Sequence, residues 1–223
     1  MRMADGSWLI KIKWWANYFL QQHTHFSLTE STMSISDNNS FTASPRSISL
    51  SLSKLDKFKD QLSPMDKLIA KFKYSPDKLD NYLKTGDSQA AVVLQTYNTL
   101  IVAAYSSELD SVALLQFPVS IAKQYDLAVG DRLLTINSYP QGKKKAPDLQ
   151  LGANSTTRYH NVYPLIADFL SEDDAVIESI KRQIKDSDWE KALKMGHAKM
   201  MQKGVVPRNG SPYASSIGIK IKQ

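Results

Sequence analysis

The sequence predicts an α+β fold in which a small antiparallel β unit, a partial barrel, is flanked by N-terminal and C-terminal α-helices. Three observations carry that expectation. The chain turns to β-branched and aromatic residues from Ala90 to Tyr105, and does so again over 110–117 and 132–139. Ahead of this region, serine-initiated helix starts recur between Ser53 and Gly86. Beyond residue 160, apolar residues return to spacings of three and four, with acids at helix starts and bases at helix ends.

The early helices are read from Ser53 with Asp56, Ser63 with Asp66 and Ser75 with Asp77. In each, a serine hydroxyl can accept an orphan amide while an acid opposes the helix dipole, and Pro64 and Pro76 occupy the first helical position, where no amide donor is needed. Apolar stripes follow at Leu55, Phe58 and Leu62, at Met65, Leu68, Ile69 and Phe72, and at Leu79, Tyr82 and Leu83. Lys57, Lys59, Lys67, Lys71, Lys73 and Lys78 fall on the other faces, as in a solvated helix surface. Gly86 is expected to end the last of these helices, so Gly86-Asp87-Ser88 is read as a helix stop rather than a nucleophile block.

Within the β unit, Asn98 marks a hairpin turn and residues 106–110 a second one. Pro118 ends a strand, a short helix runs over 121–125, and Gly130-Asp131 reverses the chain into the strand that holds Leu133 and Ile136. Over these positions, with Ile121, Tyr125 and Leu127, the segment 118–136 resembles the AbrB-type swapped-hairpin domains and, more loosely, the cradle-loop barrels. The resemblance covers about 25 of 223 residues. It implies a half barrel closed by a second copy, giving a homodimer, or by the preceding strands over 90–105. It also implies DNA binding through arginines on short helices and loops. The charge here departs from that pattern. Residues 87–142 hold two bases, Lys123 and Arg132, against five acids, which disfavours phosphate contact.

Composition bounds the rest. A chain of 223 residues that is 42% hydrophobic and 22% charged can bury a core of one or two domains. There is no cysteine, which excludes disulfides, thiolate metal sites and a cysteine nucleophile and is compatible with a cytoplasmic location. Residues 1–52 are expected to be a disordered leader, since ten serines and three threonines crowd 27–53, with the true start at Met33. The run 8–20 carries three of the four tryptophans but also Lys11 and Lys13, and its 13 residues are too few to span a bilayer. His23 and His25 have no third ligand, and no metal or other cofactor is expected.

The rest of the chain, 53–223, is expected to form a single domain: helices over 53–85, the β unit over 89–140, a basic loop over 141–160, helices over 162–203 and a tail over 204–223. A helical region begins at Val162. Ser171 caps a helix reaching about Lys185, and Ser187 with Glu190 makes a capping box for a helix ending near Lys203, before Gly204. Residues 217–222 alternate as an edge strand would.

The net charge is +6, and its excess lies at the carboxyl end, where 181–223 holds ten Lys and Arg against three Asp and Glu. The candidate anion-binding residues are therefore Lys143, Lys144 and Lys145 in the basic loop, with Lys181, Arg182, Lys185, Lys191, Lys194, Lys199, Lys203 and Arg208. No paired carboxylates, phosphate loop or nucleophile motif stands out, so the expectation is a non-catalytic binding or adaptor protein whose acidic partner is nucleic acid. Two alternatives come from other classes: a peripheral membrane or complex-assembly factor, and a hydrolase using His160 with a serine.

Overall fold

A computed structural model describes residues 48–60, 76–140 and 146–213. The architecture is α+β, with six strands curled into a half barrel. In chain order the elements are α1 (Leu52–Asp60), α2 (Pro76–Thr85), β1 (Asp87–Gln95), β2 (Thr99–Ser106), β3 (Ser111–Pro118), α3 (Val119–Gln124), β4 (Arg132–Ser138), β5 (Tyr163–Ile166), a 3-10 turn (Ala167–Phe169), α4 (Asp174–Lys181), α5 (Asp186–Met200) and β6 (Arg208–Asn209).

The sheet order is β5-β4-β1-β2-β3-β6. All pairings are antiparallel except β3 with β6, which run parallel through Leu115 with Arg208 and Gln116 with Asn209. The strands preceding Pro118 thus share one sheet with β4, which pairs directly with β1. The expected turns are present. Asn98 (φ 62°) and Asp110 (φ 43°) take the left-handed conformation tolerated best by Asn, Asp and Gly, and Gly130 (φ 97°) lets the chain enter β4.

Both faces of the sheet are covered, which explains why β1 and β2 read as nearly continuous apolar runs rather than alternating ones. Ala91, Val93, Val102, Leu115, Phe117 and Ile136 face a core completed by Leu55 and Phe58 of α1, Leu79 and Leu83 of α2, Ile121 of α3, Phe169 and Ile177. Ala90, Val92, Tyr105 and Val112 face Trp189 and Ala192 of α5. A Cβ on Gly196 would stand 2.6 Å from the Cβ of Ala103 and 2.8 Å from a methyl of Leu94, so this glycine sets how closely α5 approaches the sheet.

Five local expectations are corrected. The region 162–170 holds no α-helix: Tyr163–Ile166 pairs with β4, where Pro164, lacking an amide donor, suits an edge strand, and the only helical part is the 3-10 turn Ala167–Phe169. Ser51, not Ser53, caps α1, accepting the Lys54 amide at 3.3 Å. α4 begins at Asp174 and ends at Lys181, because the buried Ser171 hydroxyl accepts the Asp173 amide and holds the chain in a turn before the helix. α5 begins one residue before Ser187, which lies inside it, and stops at Met200; no side-chain cap is made at Lys185. Residues 48–52, which the sequence assigns to the disordered leader, are ordered instead: Ile48 is fully buried, and Ser49 and Ser51 are hydrogen-bonded to the loop before α4. Residues 1–47 of the leader, the helix expected from Ser63, Lys143, Lys144 and Lys145 and the strand expected over 217–222 lie outside the described residues.

Candidate functional site

The C-terminal bases divide into two groups. Arg182 and Lys185 are exposed in the turn between α4 and α5, Lys191 and Lys194 on α5, and Lys203 just beyond it. Spacings of three and four place Lys191, Lys194 and Ala198 on the outer face of α5, opposite the stripe of Trp189, Ala192, Gly196 and Lys199 buried on the sheet. Asp186, Asp188 and Glu190 share the amino-terminal half of this helix, where they oppose its dipole. Lys191 also leans over the Tyr105 ring, 5.6 Å from its centroid, with Nζ donating to the phenol oxygen at 3.4 Å.

Lys181, Lys199 and Arg208 form the second group, and each is committed inside the molecule. Lys181 Nζ meets Asp168 Oδ1 at 2.5 Å, their side chains 11% and 15% exposed, and reaches Glu178 at 2.8 Å. The other Asp168 oxygen accepts the Leu134 amide at 2.7 Å. That amide lies one residue past the last β4–β5 pair, Thr135 with Ile166, so the carboxylate continues the ladder where β5 ends. Burial pulls the Lys181 amine down, but the adjacent Asp168 carboxylate outweighs this and its pKa is raised.

Lys199 closes the opposite side. Its Nζ donates to the Val112 carbonyl at 2.6 Å and stands 3.9 Å from Asp148 Oδ2. Val112 and Gln116 have the same parity along β3, so their carbonyls face the β6 side; that of Gln116 takes the Gly210 amide, and that of Val112 takes Lys199. Arg208 grips Asp148 through two bonds of 2.8 Å and donates also to the Val162 carbonyl and to Asn161 Oδ1. Burial drives the Lys199 amine down to about 8, Asp148 pulling it up and Arg208 pushing it further down. Lys181 thus ties α4 to the 3-10 turn beside β4, while Lys199 and Arg208 tie α5, β6 and the 146–162 loop to one another and to β3.

His160 is held through its backbone. Among the described residues, its backbone carbonyl accepts the Ala146 amide, while its ring has no hydrogen bond to a serine or a carboxylate. A polar chain does link Ser106 Oγ to the Tyr139 hydroxyl at 3.0 Å and that hydroxyl to Asp87 Oδ2 at 3.3 Å. Burial, reinforced by Asp87, pushes the Tyr139 phenol far above its ordinary range, so it cannot act as a base near neutral pH. Among the described residues, no group of three His, Asp or Glu is arranged to hold a metal ion, and no helix is long and apolar enough to cross a membrane.

The exposed outer face of α5 with its flanking turns is therefore the candidate site. Sequence reasoning named its bases but not the neighbouring apolar tip, where Met201 is 87% and Val206 69% exposed. No family model matches the chain, and no curated protein or solved structure matches it.

Proposed function

We propose that the protein is a non-catalytic binding or adaptor module that contacts an anionic partner, nucleic acid first, through the outer face of α5 and the turns at its two ends. The observation that carries this reading is the division of the bases: Lys181, Lys199 and Arg208 are spent on the fold, whereas Arg182, Lys185, Lys191, Lys194 and Lys203 are exposed on neighbouring turns. Trp189 is buried, so α5 offers nucleic acid no indole to stack on a base, and His197 is the exposed ring on this helix. The contact is therefore mainly to phosphates, made by the exposed bases rather than by the acidic β unit.

Fluorescence polarisation with labelled duplex DNA and single-stranded RNA, at about 50 and 200 mM salt, tests the reading. With up to five phosphates engaged, log affinity should fall against log salt with a slope between about −2 and −5, and Lys191→Glu with Lys194→Glu should reduce the slope by about 2. Absence of salt-sensitive binding to both probes rejects it.

One observation supports a membrane reading in second place: the exposed Met200, Met201 and Val206 lie beside Lys203, the pairing of apolar and basic groups that an anionic bilayer surface accepts. Flotation with phosphatidylserine vesicles, abolished by Met201→Asp with Val206→Asp but retained by the Lys191 and Lys194 variant, favours that reading over nucleic acid.

A further inference from the structure

The segment entering the domain is fastened by alternate serines. Ile48 is fully buried, and α1 sets Leu55 and Phe58 into the core, Phe58 lying edge-on to Phe117 with ring centroids 6.3 Å apart. Between these anchors, Ser49, Ser51 and Ser53 turn their hydroxyls to the loop before α4. The Ser49 amide and hydroxyl both donate to Asp173 Oδ2, at 2.7 and 2.8 Å. Ser51 and Ser53 both donate to Glu172 Oε1, at 2.6 and 2.8 Å. Donation by these serines holds the Glu172 and Asp173 carboxyls below their ordinary pKa values, so both groups are charged at neutral pH.

We propose that Ser53 is a phosphorylation site and that its modification releases α1 from the domain. Ser53 is the exposed member of the pair that donates to Glu172, and Ser51 is tied further by its amide to the Leu170 carbonyl and by its cap to Lys54. A protein kinase would transfer the terminal phosphoryl group of a nucleoside triphosphate to Ser53 Oγ. The new P–O bond replaces the bridging bond to the nucleoside diphosphate, and the hydroxyl proton leaves to the kinase's base. The donated hydrogen bond to Glu172 is lost with that proton, and nearly two negative charges arrive beside Glu172, Asp173 and Asp174.

Among the described residues, Lys54 is the cation that acts on Glu172, and it is already engaged: its Nζ donates to the carbonyls of Asp168 and Ser171 and stands 3.8 Å from Asp174. The phosphate would, by contrast, suit α1 as an isolated helix, since it would sit in the first turn, four residues before Lys57. Modification thus separates two properties: α1 keeps its helical preference and loses its docking. Release uncovers the aromatic cluster beneath, where Phe117 and Tyr125 both pack on Phe169 with centroids 5.2 and 5.0 Å away.

The test uses the full chain with phosphoserine incorporated at position 53 during synthesis. Hydrogen exchange at the amides of 50–58 should quicken at least tenfold against the unmodified chain, with increased binding of a fluorescent apolar dye. Unchanged protection there overturns the proposal. The same phosphoserine in a Glu172→Gln, Asp173→Asn background, where the acceptors remain but the charge is gone, should keep exchange within about threefold of unmodified protein; equal loss of protection would mean bulk rather than charge and also reject it. The protein purified from its own cells should carry phosphate at Ser53 by peptide mass mapping, and its absence in every growth state sampled removes the assignment.

Discussion

The two sides of the half barrel meet the same problem with opposite chemistry. At the β4 side, a strand amide left unpaired beyond the end of β5 is satisfied by an acid, Asp168, with Lys181 as its counter-ion. At the β3 side, a carbonyl beyond β6 is satisfied by a base, Lys199, near an acid that Arg208 already holds. Each solution continues the hydrogen-bond ladder with a side chain and blocks the edge to another strand. The difference lies in charge balance. Burial lowers both amines; Asp168 and Glu178 together lift Lys181 above that cost, whereas Lys199 stands 3.9 Å from an acid that Arg208 already holds and is driven down.

The sharpest way to break this comparison is to neutralise each acid without changing its size. Asp148→Asn leaves Lys199 and Arg208 buried together with no counter-charge, and it should destabilise the fold by about 3–5 kcal/mol in urea denaturation. Asp168→Asn should cost less, about 2–3 kcal/mol, because Lys181 retains the exposed Glu178 at 2.8 Å. Equal losses would mean that the count of bases per acid does not set the energetics.

The same comparison explains what could be read from the chain. β1 to β4 and their turns were legible because Ala90 to Tyr105, Asn98 and Gly130 carry local signals for strand and turn. β5 was not. Tyr163–Ile166 has a helix-start proline and gains its strand identity only from pairing with β4. The roles of the bases were equally hidden, since Lys199 meets a carbonyl 87 positions away and Arg208 an acid 60 positions away. Charge counting over 181–223 marked them as surface groups, whereas burial of their aliphatic stems and pairing with distant partners made them part of the core. The exposed members, Lys191 and Lys194, were legible because helical spacing alone places them away from Trp189.

The smallest predicted effect is also the most specific. Lys199→Met removes a cation whose burial is costly and leaves Asp148 bound to Arg208, so near pH 7 the change should stay within about 1 kcal/mol, the lost bond to the Val112 carbonyl offsetting relief of the charge. Its signature is in the pH profile. With the folded pKa depressed to about 8 and the unfolded value near 10.4, between those limits the unfolded chain carries a proton that the folded chain has released. Wild-type stability should therefore rise through this window, by about 3 kcal/mol across the whole of it and about 1 kcal/mol between pH 7 and 9, as the penalty on the charged amine is relieved. Lys181 works in the other direction, since its raised pKa contributes stability that is fully present below the unfolded value and lost only as pH climbs through the folded one. Urea midpoints measured from pH 7 to 9, below the range where the buried tyrosines begin to titrate in the unfolded chain, should thus climb in the wild type and in Lys181→Met but stay flat in Lys199→Met. A wild-type curve flat from pH 7 to 9 would show that Lys199 keeps its proton and that the two sides of the sheet bear their charges alike.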